Sequence, residues 1–416
     1  MNQTGFGRER EARKSPNVIR YDEMTKDAQY TINYENPSLP TFAAKEYFDD
    51  LFGERFDDWK SIRCALLSPA KKCAFVTDQN KQLIDTLESI GAVDVMQTFR
   101  SRAEAVLEKE QVNLADIEKS PPVGISEAEH YNKLIRTRLL VEQIESSLEI
   151  AKRLVIYATP TGKFNQLPRP LAINRGLKDF IKCDLADVFT ALVHAPRASE
   201  NCLLLNSEAE VVPLLLKGAP YCMFSLNNQE YNAARNVITS VKQYLDPKDI
   251  EERIDAKCDK TLRYGESLAD DISEHFITEC VFSSILLDAE STNDRVSMNE
   301  DSSLNIFHPT HTHIRQSMPI SQKNQLKKAL QLCRPGGHIT YVSNSLSHLQ
   351  NEYVLQAAVK EVYIEHSITV RSVPLHFIPF CLPELNFYTE SRLGQMVVPD
   401  MGKNFGPKYV CKLYLE

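Results

Sequence analysis

The sequence predicts an α/β fold in which helices cover both faces of a mostly parallel sheet. In the second half of the chain, short apolar runs alternate with amphipathic stretches of about 12 to 15 residues, which is typical of repeated strand–helix units. The clearest strand is the β-branched and aliphatic run from Val281 to Leu287, which ends at Asp288. A predicted helix from Gln322 to Cys333 then leads through a Pro-Gly-Gly turn into the strand His338 to Val342.

The same alternation of strands and helices is predicted in the earlier part of this region. Its elements are the helix Leu185 to Val193, the apolar runs Asn201 to Leu205 and Val211 to Leu216, the buried strand Tyr221 to Leu226 and the amphipathic helix Tyr231 to Leu245. In open parallel sheets, ligands bind beyond the carboxyl ends of the strands. We therefore expect the site residues to follow Leu205, Leu226, Leu287 and Val342.

Three regions are predicted along the 416 residues. Residues 1–40 are polar and aperiodic, which indicates a disordered basic arm. The arginines near its start are weakly compatible with a mitochondrial presequence, and Glu9 and Glu11 count against one. Residues 41–165 are predicted to form a helical N-terminal region with an insertion, and residues 166–416 the α/β domain.

The N-terminal region contains two helical patterns. Apolar spacing from Ala43 to Phe56 and from Trp59 to Val76 predicts a short helical unit. The stretch Glu127 to Arg153 places its apolar residues on one helical stripe. We expect that stripe to face the core, and a groove for a partner protein is the alternative.

Composition narrows the classes of function. With 48 basic and 56 acidic residues the formal charge is −8, so a phosphate-binding surface has to be a local basic patch. No apolar run reaches the roughly 18 residues of a transmembrane helix. The ten cysteines are scattered without a C-x-x-C pair, as free thiols of a reducing compartment are. His308, His311 and His313 have a spacing open to zinc, but without an obvious fourth ligand we expect a polar loop and no metal.

The segment from Arg334 to Glu352 carries a family resemblance. Its strand, its Ser-Asn-Ser tripeptide and its closing Ser-His-Leu-Gln-Asn-Glu resemble the penultimate strand and following loop of the Nop/Sun (RsmB-type) RNA cytosine-5 methyltransferases, especially their mitochondrial rRNA branch. Further segments agree in the family's order: Phe52-Gly53-Glu54-Arg55, Ser61-Ile62-Arg63, Leu66-Leu67-Ser68, Pro168-Arg169-Pro170 leading into Asp184-Leu185-Ala186, and Asn404-Phe405-Gly406-Pro407-Lys408-Tyr409. The resemblance implies a Rossmann-like S-adenosylmethionine-dependent methyltransferase fold with an N-terminal helical extension.

Both catalytic cysteine positions that the resemblance implies hold other residues. Methylation of cytosine carbon 5 needs a thiolate that adds to carbon 6, because the unactivated ring carbon does not attack the sulfonium methyl. The family's T-C-S tripeptide reads Ser343-Asn344-Ser345 here, so the nucleophile position is Asn344. The family's D-x-P-C-T loop keeps its aspartate as Asp288, whereas Ser291 replaces the cysteine that helps to release the product.

The cofactor positions implied by the resemblance are also altered. The family's C-A-A-P-G-G-K-T turn corresponds to the stretch that begins at Asn206, which has no glycine or lysine and carries Glu208 and Glu210. Ser225 is the best match, at the end of the next strand, to the aspartate that binds the ribose, and Asp259 matches the acidic residue near the adenine. S-adenosylmethionine is therefore the implied cofactor, and we predict that it is not bound.

These losses predict a catalytically silent scaffold that acts in mitochondrial ribosome biogenesis by binding rRNA, a protein partner or both. The resemblance implies a mitochondrial location and a helical-repeat partner of the mitochondrial transcription-termination-factor type. Arg55, Arg63 and Arg169 are the candidate RNA contacts, and for each the alternative is a solvated surface charge. Two other functions stay open. One is an active RNA cytosine-5 methyltransferase with a thiol from Cys280, Cys333 or Cys381, and the other is a protein-interaction module with no RNA role.

Overall fold

The computed structural model describes residues 39–416, apart from residues 79, 120–125, 164–165, 174–175, 208, 228–230 and 258–281. Residues 1–38 of the predicted basic arm, together with Cys280 and Asp259, lie outside the described residues. The helices, strands and sheets of the fold are those of the described ranges.

A large, mostly parallel sheet forms the centre of the α/β domain. Its strands run in the order β10-β12-β9-β8-β5-β6-β7 within the described residues, and β11 pairs with β12 outside this path. The strands are β5 (Asn201–Leu205), β6 (Met223–Asn227), β7 (Ile254–Lys257), β8 (Phe282–Asp288), β9 (Cys333–Ser343), β10 (Val370–Ser372), β11 (Gln395–Val397) and β12 (Lys408–Leu415). Strands β5 to β9 are parallel, and β12 is antiparallel to β9. The parallel core confirms the predicted fold class.

Helices flank this sheet on both faces. In chain order they are α6 (Leu185–His194), α7 (Val211–Gly218), α8 (Tyr231–Val241), α9 (Pro247–Arg253), α10 (Asp294–Asn299), α11 (Thr312–Leu332), α12 (Glu352–His366) and α13 (Ile378–Cys381). Successive strand residues point to opposite faces. Cys202 and Leu204 of β5 accordingly join the core beneath α6 and α7, while Leu203 and Leu205 join the core beneath α11 and α12.

The N-terminal region contains a second, smaller sheet. Its elements are α1 (Pro40–Phe52), α2 (Trp59–Leu67), β1 (Cys73–Val76), α3 (Lys81–Ser89), β2 (Val93–Asp94), α4 (Val95–Lys119), α5 (Glu127–Ala151), β3 (Ile156–Ala158) and β4 (Phe180–Cys183). The four strands pair antiparallel in the order β2-β3-β1-β4.

This small sheet corrects two expectations. The helical pattern from Trp59 ends at Leu67, because Pro69 breaks it, and the fully buried run Cys73–Val76 forms a strand rather than more helix. Strand β4 lies beyond residue 165, so the sheet spans the predicted boundary between the helical region and the α/β domain.

The stripe on α5 faces the core, as the sequence predicts. Leu140, Ile144 and Leu148 are buried in the same cluster as α6 and α7. The helix begins with a complete capping box, in which the Ser126 hydroxyl accepts from the Glu129 amide and Glu129 accepts in return from the Ser126 backbone.

The first two helices pack on the opposite face of the large sheet. Phe48 and Phe52 stack with ring centroids 5.4 Å apart, and Phe48 also meets Phe307 of the segment before α11. Phe52 contacts Trp59 of α2 edge to face. These aromatic side chains belong to the same buried cluster as β8 and β9, so α1 and α2 form part of the layer that covers these two strands.

The three histidines considered for zinc lie at the start of a helix rather than in the expected loop. His308 caps a 3₁₀ turn, Pro309–His311, and His313 belongs to α11. Within the part of the chain that the structure describes, no three His, Cys, Asp or Glu side chains are grouped so that they could hold a metal ion. Across the same ranges, no helix has both the length and the apolar character needed to cross a membrane.

Candidate functional site

The carboxyl ends of the parallel strands bring the predicted site positions to one edge of the sheet. Strand β8 ends at Asp288, and its neighbour β9 ends immediately before Asn344. The Ala289 amide donates to the Val342 carbonyl at 2.9 Å, so the two strands stay paired up to this edge. Asn206 follows β5 at the same edge, with a left-handed φ of 55°.

Ser291 and Asn344 are in direct contact. The Asn344 amide donates to the Ser291 hydroxyl at 3.2 Å, and both residues are half-buried. The Asn293 amide also reaches the Ser291 oxygen, at 3.4 Å. The two positions that the family resemblance picks out therefore meet in space, and the serine oxygen accepts backbone hydrogen bonds there.

Asp294 joins the two loops that follow β8 and β9. Its carboxylate accepts from the Leu346 amide at 2.7 Å, from the Thr292 hydroxyl at 2.5 Å and, at 3.4 Å, from Ser345. Its own amide donates to the Asn344 carbonyl at 3.2 Å. Burial raises the pKa of Asp294 to about 6, although these three donors favour the charged form.

The amide side chains of Gln350 and Asn351 also form hydrogen bonds with these two loops. Gln350 accepts from the Thr292 amide and donates to the Thr292 hydroxyl, both at 3.0 Å. Asn351 donates to the Ser345 carbonyl at 2.8 Å and accepts from the Ser343 hydroxyl at 2.5 Å. The sequence signal for these two residues was the Ser-His-Leu-Gln-Asn-Glu motif. Asp294 had no such signal, because two of the three groups that donate to its carboxylate, those of Ser345 and Leu346, lie about 50 residues away along the chain.

Asp288 is buried at the end of β8. Tyr341 lies beside it on β9 and donates from its hydroxyl to the Gln350 carbonyl at 2.6 Å. Burial, with the negative charge of Asp288 as a second cause, raises the pKa of Tyr341 well above its usual value. Asp288 therefore lies close to Tyr341, whose hydroxyl is hydrogen-bonded to the loop after β9.

The expected cofactor positions are not all at the edge. Ser225 lies in the middle of β6, opposite Leu203, and not at the end of the strand as predicted, because β6 continues to Asn227. Asn206 lies at the edge, and Glu210 occupies the position before the first residue of α7. The Ser207 hydroxyl is buried and has no hydrogen-bond partner within the described residues.

The described cysteines proposed as substitute nucleophiles, Cys333 and Cys381, are both buried. Cys333 is the first residue of β9, whereas Asn344 follows its last residue, so the strand's full length separates them. Burial raises the pKa of Cys333 to about 12. Cys381 lies in α13 within the opposite core, and burial raises its pKa to about 12 as well. A buried neutral thiol is a poor nucleophile.

Two of the predicted RNA-contact arginines make contacts within the chain. Arg55 donates to the Leu346 carbonyl at 3.2 Å and lies 3.0 Å from His348, so it supports the loop after β9. Arg63 pairs with Asp49 at 2.7 Å. Arg169 is exposed. The first two positions therefore have structural contacts that a charge pattern in sequence does not reveal.

Comparison with known proteins finds relatives by sequence. No family model matches the chain. It is 28% identical over 393 residues to the 5-cytosine rRNA methyltransferase NSUN4 of Xenopus laevis, an alignment that covers 91% of each chain. The NSUN4 protein of Mus musculus is 27% identical over 375 residues, which is 89% of this chain and 88% of that protein. The predicted Nop/Sun resemblance is confirmed.

The fold of the Nop/Sun-like chain also agrees with a solved structure. Its backbone matches NSun6 of Pyrococcus horikoshii, solved with SFG, with a TM-score of 0.51, 12% identity and coverage of 89% of this chain and 96% of that one. The fold is Rossmann-like, as in S-adenosylmethionine-dependent methyltransferases. A mitochondrial tRNA (cytosine(34)-C(5))-methyltransferase of Danio rerio is 32% identical over 105 residues, or 24% of this chain and 26% of that protein.

Proposed function

We propose that this Nop/Sun-like protein is a catalytically silent homologue of the rRNA cytosine-5 methyltransferases, which acts by binding RNA. The observation that carries the proposal is the contact between Ser291 and Asn344 at the carboxyl edge. These are the positions at which an enzyme of this kind needs its two thiols, and here they hold a hydroxyl and an amide.

The chemistry of the pair supports a silent site. An asparagine amide does not add to carbon 6 of a pyrimidine, and a serine hydroxyl attacks only when an adjacent base removes its proton. The Ser291 oxygen accepts from two backbone amides, which lowers its electron density. The buried carboxylate of Asp294, three residues after Ser291, directs its oxygens at Leu346, Thr292 and Ser345.

The residues of the cofactor loop do not fit the methionine end of S-adenosylmethionine. A carboxylate ligand is favoured by glycine amides and a positive helix N-terminus. The loop after β5 has no glycine, and Glu210 puts a negative charge beside the first turn of α7. Ser225 offers no carboxylate for the ribose and lies within the strand.

The proposed setting is the mitochondrial ribosome. Its support is the likeness to NSUN4 over nine-tenths of the chain and to mitochondrial tRNA methyltransferases over a shorter part. A helical-repeat protein of the transcription-termination-factor type is the proposed partner. Because the apolar stripe of α5 is buried, such a partner would use the exposed face of that helix or the N-terminal helices.

One observation favours the alternative of a retained small-molecule site. Ser207 is a buried hydroxyl in the cofactor loop without a hydrogen-bond partner in the described residues, and a bound ligand would satisfy it. That alternative makes a different prediction for cofactor affinity, so calorimetry separates the two.

We expect the purified chain to bind single-stranded RNA in a salt-dependent way and to give no saturable heat with S-adenosylmethionine or S-adenosylhomocysteine. We expect no heat from the cofactor because the loop after β5 is acidic and has no glycine. We expect the RNA affinity to depend on salt because contacts to phosphates release counterions. Isothermal titration calorimetry checks the cofactor, and fluorescence anisotropy checks RNA. Cofactor binding at tens of micromolar would contradict the silent-scaffold proposal, and an absence of RNA binding at low salt would favour a protein-interaction module.

Asn344→Cys restores the missing thiol, and we expect it to leave RNA methylation at background. A nucleophile without a bound methyl donor has nothing to transfer. The measurement is incorporation of tritiated methyl groups into an rRNA transcript, with Asn344→Ala as the matched control. Methylation by the cysteine variant alone would mean that the cofactor cleft still works.

A further inference from the structure

A pocket between the small sheet and the C-terminal loop is lined by three lysines. Its cavity is about 500 Å³, within the range of pockets that hold small ligands. Among the residues that the structure describes, its cationic lining residues are Lys71, Lys72 and Lys182, and none of its lining residues is acidic. In a chain with eight more acidic than basic residues, an all-cationic pocket is a marked local departure. We call this cavity the lysine pocket.

The strand register directs two of these lysines to the same side. Lys182 pairs with Ala74 across the antiparallel β1–β4 ladder, and paired residues point to the same face. Lys72 directly precedes β1 and lies two residues before Ala74, so continuing the alternation of the strand by one residue puts it on that face too. Both side chains are exposed, and Lys182 also reaches the Leu167 carbonyl at 3.0 Å.

Lys71 has a different role in the same pocket. Its ammonium donates to the carbonyls of Thr159 at 2.7 Å and Pro160 at 2.9 Å, and its own amide donates to the Asn404 carbonyl. Burial lowers the pKa of Lys71. It therefore forms part of the pocket's frame, which leaves Lys72 and Lys182 as the cations at the surface.

The remaining walls suit a nucleoside. Pro69, Leu167 and Met401 supply apolar surface, and the exposed Gln166 amide supplies a donor and an acceptor. The acidic groups that interact with these lysines are not among the described lining residues: the buried Asp184 interacts with Lys72, and Glu384 and Asp400 interact with Lys71. The anion that fits is one that carries an apolar ring, and single-stranded RNA exposes both features.

The pocket lies beside the carboxyl edge of the large sheet, where β8 and β9 end. Asn404 lines it and accepts from the Arg295 guanidinium at 2.7 Å. Arg295 directly follows Asp294, whose amide bonds to the Asn344 carbonyl. A strand of RNA that leaves the pocket therefore has a short path to the loops that hold Ser291 and Asn344.

We propose that the lysine pocket binds one unpaired nucleotide of an RNA strand, with the flanking phosphates on Lys72 and Lys182. This inference rests on the proposed function, because it assumes that the chain binds RNA. It goes further by naming where the strand is held and by assigning the contact to residues other than Arg55 and Arg63.

The test measures RNA affinity against salt for the full chain and for Lys72→Gln/Lys182→Gln, with a single-stranded RNA oligonucleotide of mixed sequence as probe. Each phosphate contact on a single strand contributes about 0.7 to the slope of log affinity against log salt, so the double variant should lose about 1.4 of slope and about tenfold in affinity. The matched control is Lys109→Gln/Lys133→Gln, which removes two exposed lysines from α4 and α5.

The outcomes separate the two proposals. Loss of slope and affinity in the pocket variant alone supports the inference, and Lys72→Arg/Lys182→Arg should then keep binding. Equal binding by pocket variant and control overturns the inference while the proposed function stands. No RNA binding by the unaltered chain at low salt overturns both. Crosslinking of 4-thiouridine RNA gives a second readout, since the labelled peptides should include Leu167 or Met401.

Discussion

Arg295→Met is expected to lower the free energy of unfolding by about 3 kcal/mol, since it strips a donor from several carbonyls at once. The guanidinium donates to the carbonyls of Ala65 and Ser68 at 2.8 Å, to Gly406 at 2.9 Å and to the Asn404 side chain at 2.7 Å. Burial lowers the pKa of Arg295, and the negative charge of Asp184 acts in the opposite direction.

Arg295 thus holds the end of α2, the C-terminal loop and α10 together. Methionine fills a similar volume, so the loss should come from unpaired carbonyls and not from a cavity. Urea unfolding followed by circular dichroism measures it, with the exposed Arg136→Met on α5 as control. A change below about 1 kcal/mol, the value of a single ordinary hydrogen bond, would mean that water satisfies these carbonyls and that the contact is not a structural clamp.

Lys408→Met is expected to cost about 3 to 5 kcal/mol of stability, the usual consequence of leaving one member of a buried ion pair alone. The Lys408 ammonium contacts the Asp187 carboxylate, and each side chain is only 5% exposed. The pair joins the first residue of β12 to the first turn of α6, next to Asp184, which caps that helix and accepts from the Gly406 amide at 3.1 Å.

A second variant distinguishes an isolated charge from general disruption of the core. Asp187→Leu/Lys408→Met removes both charges, and replacement of a buried ion pair by apolar residues is often neutral or stabilising. We expect the double variant to unfold at a urea concentration near that of the unaltered chain, with the exposed Lys360→Met as the control for loss of a lysine. If the double variant is as unstable as Lys408→Met, the charge of Asp187 is not the cause.

Local pattern in the sequence predicted the large sheet well, because its signals lie within single elements. The apolar run that ends at Asp288 and the strand that ends before Asn344 specify their own conformation, and the parallel topology brings their carboxyl ends to one edge. Ser291 and Asn344, which follow these two strands, therefore lie at the same edge.

The small sheet was missed for the opposite reason. Strand β1 has only four residues and pairs with β4 about 110 residues later, Cys73 lying opposite Cys183. A short buried run can be helix or strand, and only the distant partner decides between them. The same holds for Asp294, whose role appears only once the loop that follows β9 is folded against it.

The candidate RNA residues illustrate a limit of charge patterns. Arg55 and Arg63 stand out in sequence, yet in the fold they contact His348 and Asp49. Lys72 and Lys182 are 110 positions apart and look ordinary until the β1–β4 register sets Lys182 opposite Ala74, two residues from Lys72. A local basic patch in an acidic chain is therefore a property of the tertiary structure.

The hydrogen-bonded link between the loops after β8 and β9 has an energetic consequence. A working transferase has to leave polar groups at such an edge unsatisfied until substrate arrives, which costs stability. Here Thr292, Ser345, Gln350 and Asn351 bond to one another or to nearby backbone instead. Under the proposed function no turnover has to be maintained here, so these polar groups can stay satisfied, and turnover at this edge would require breaking some of these hydrogen bonds.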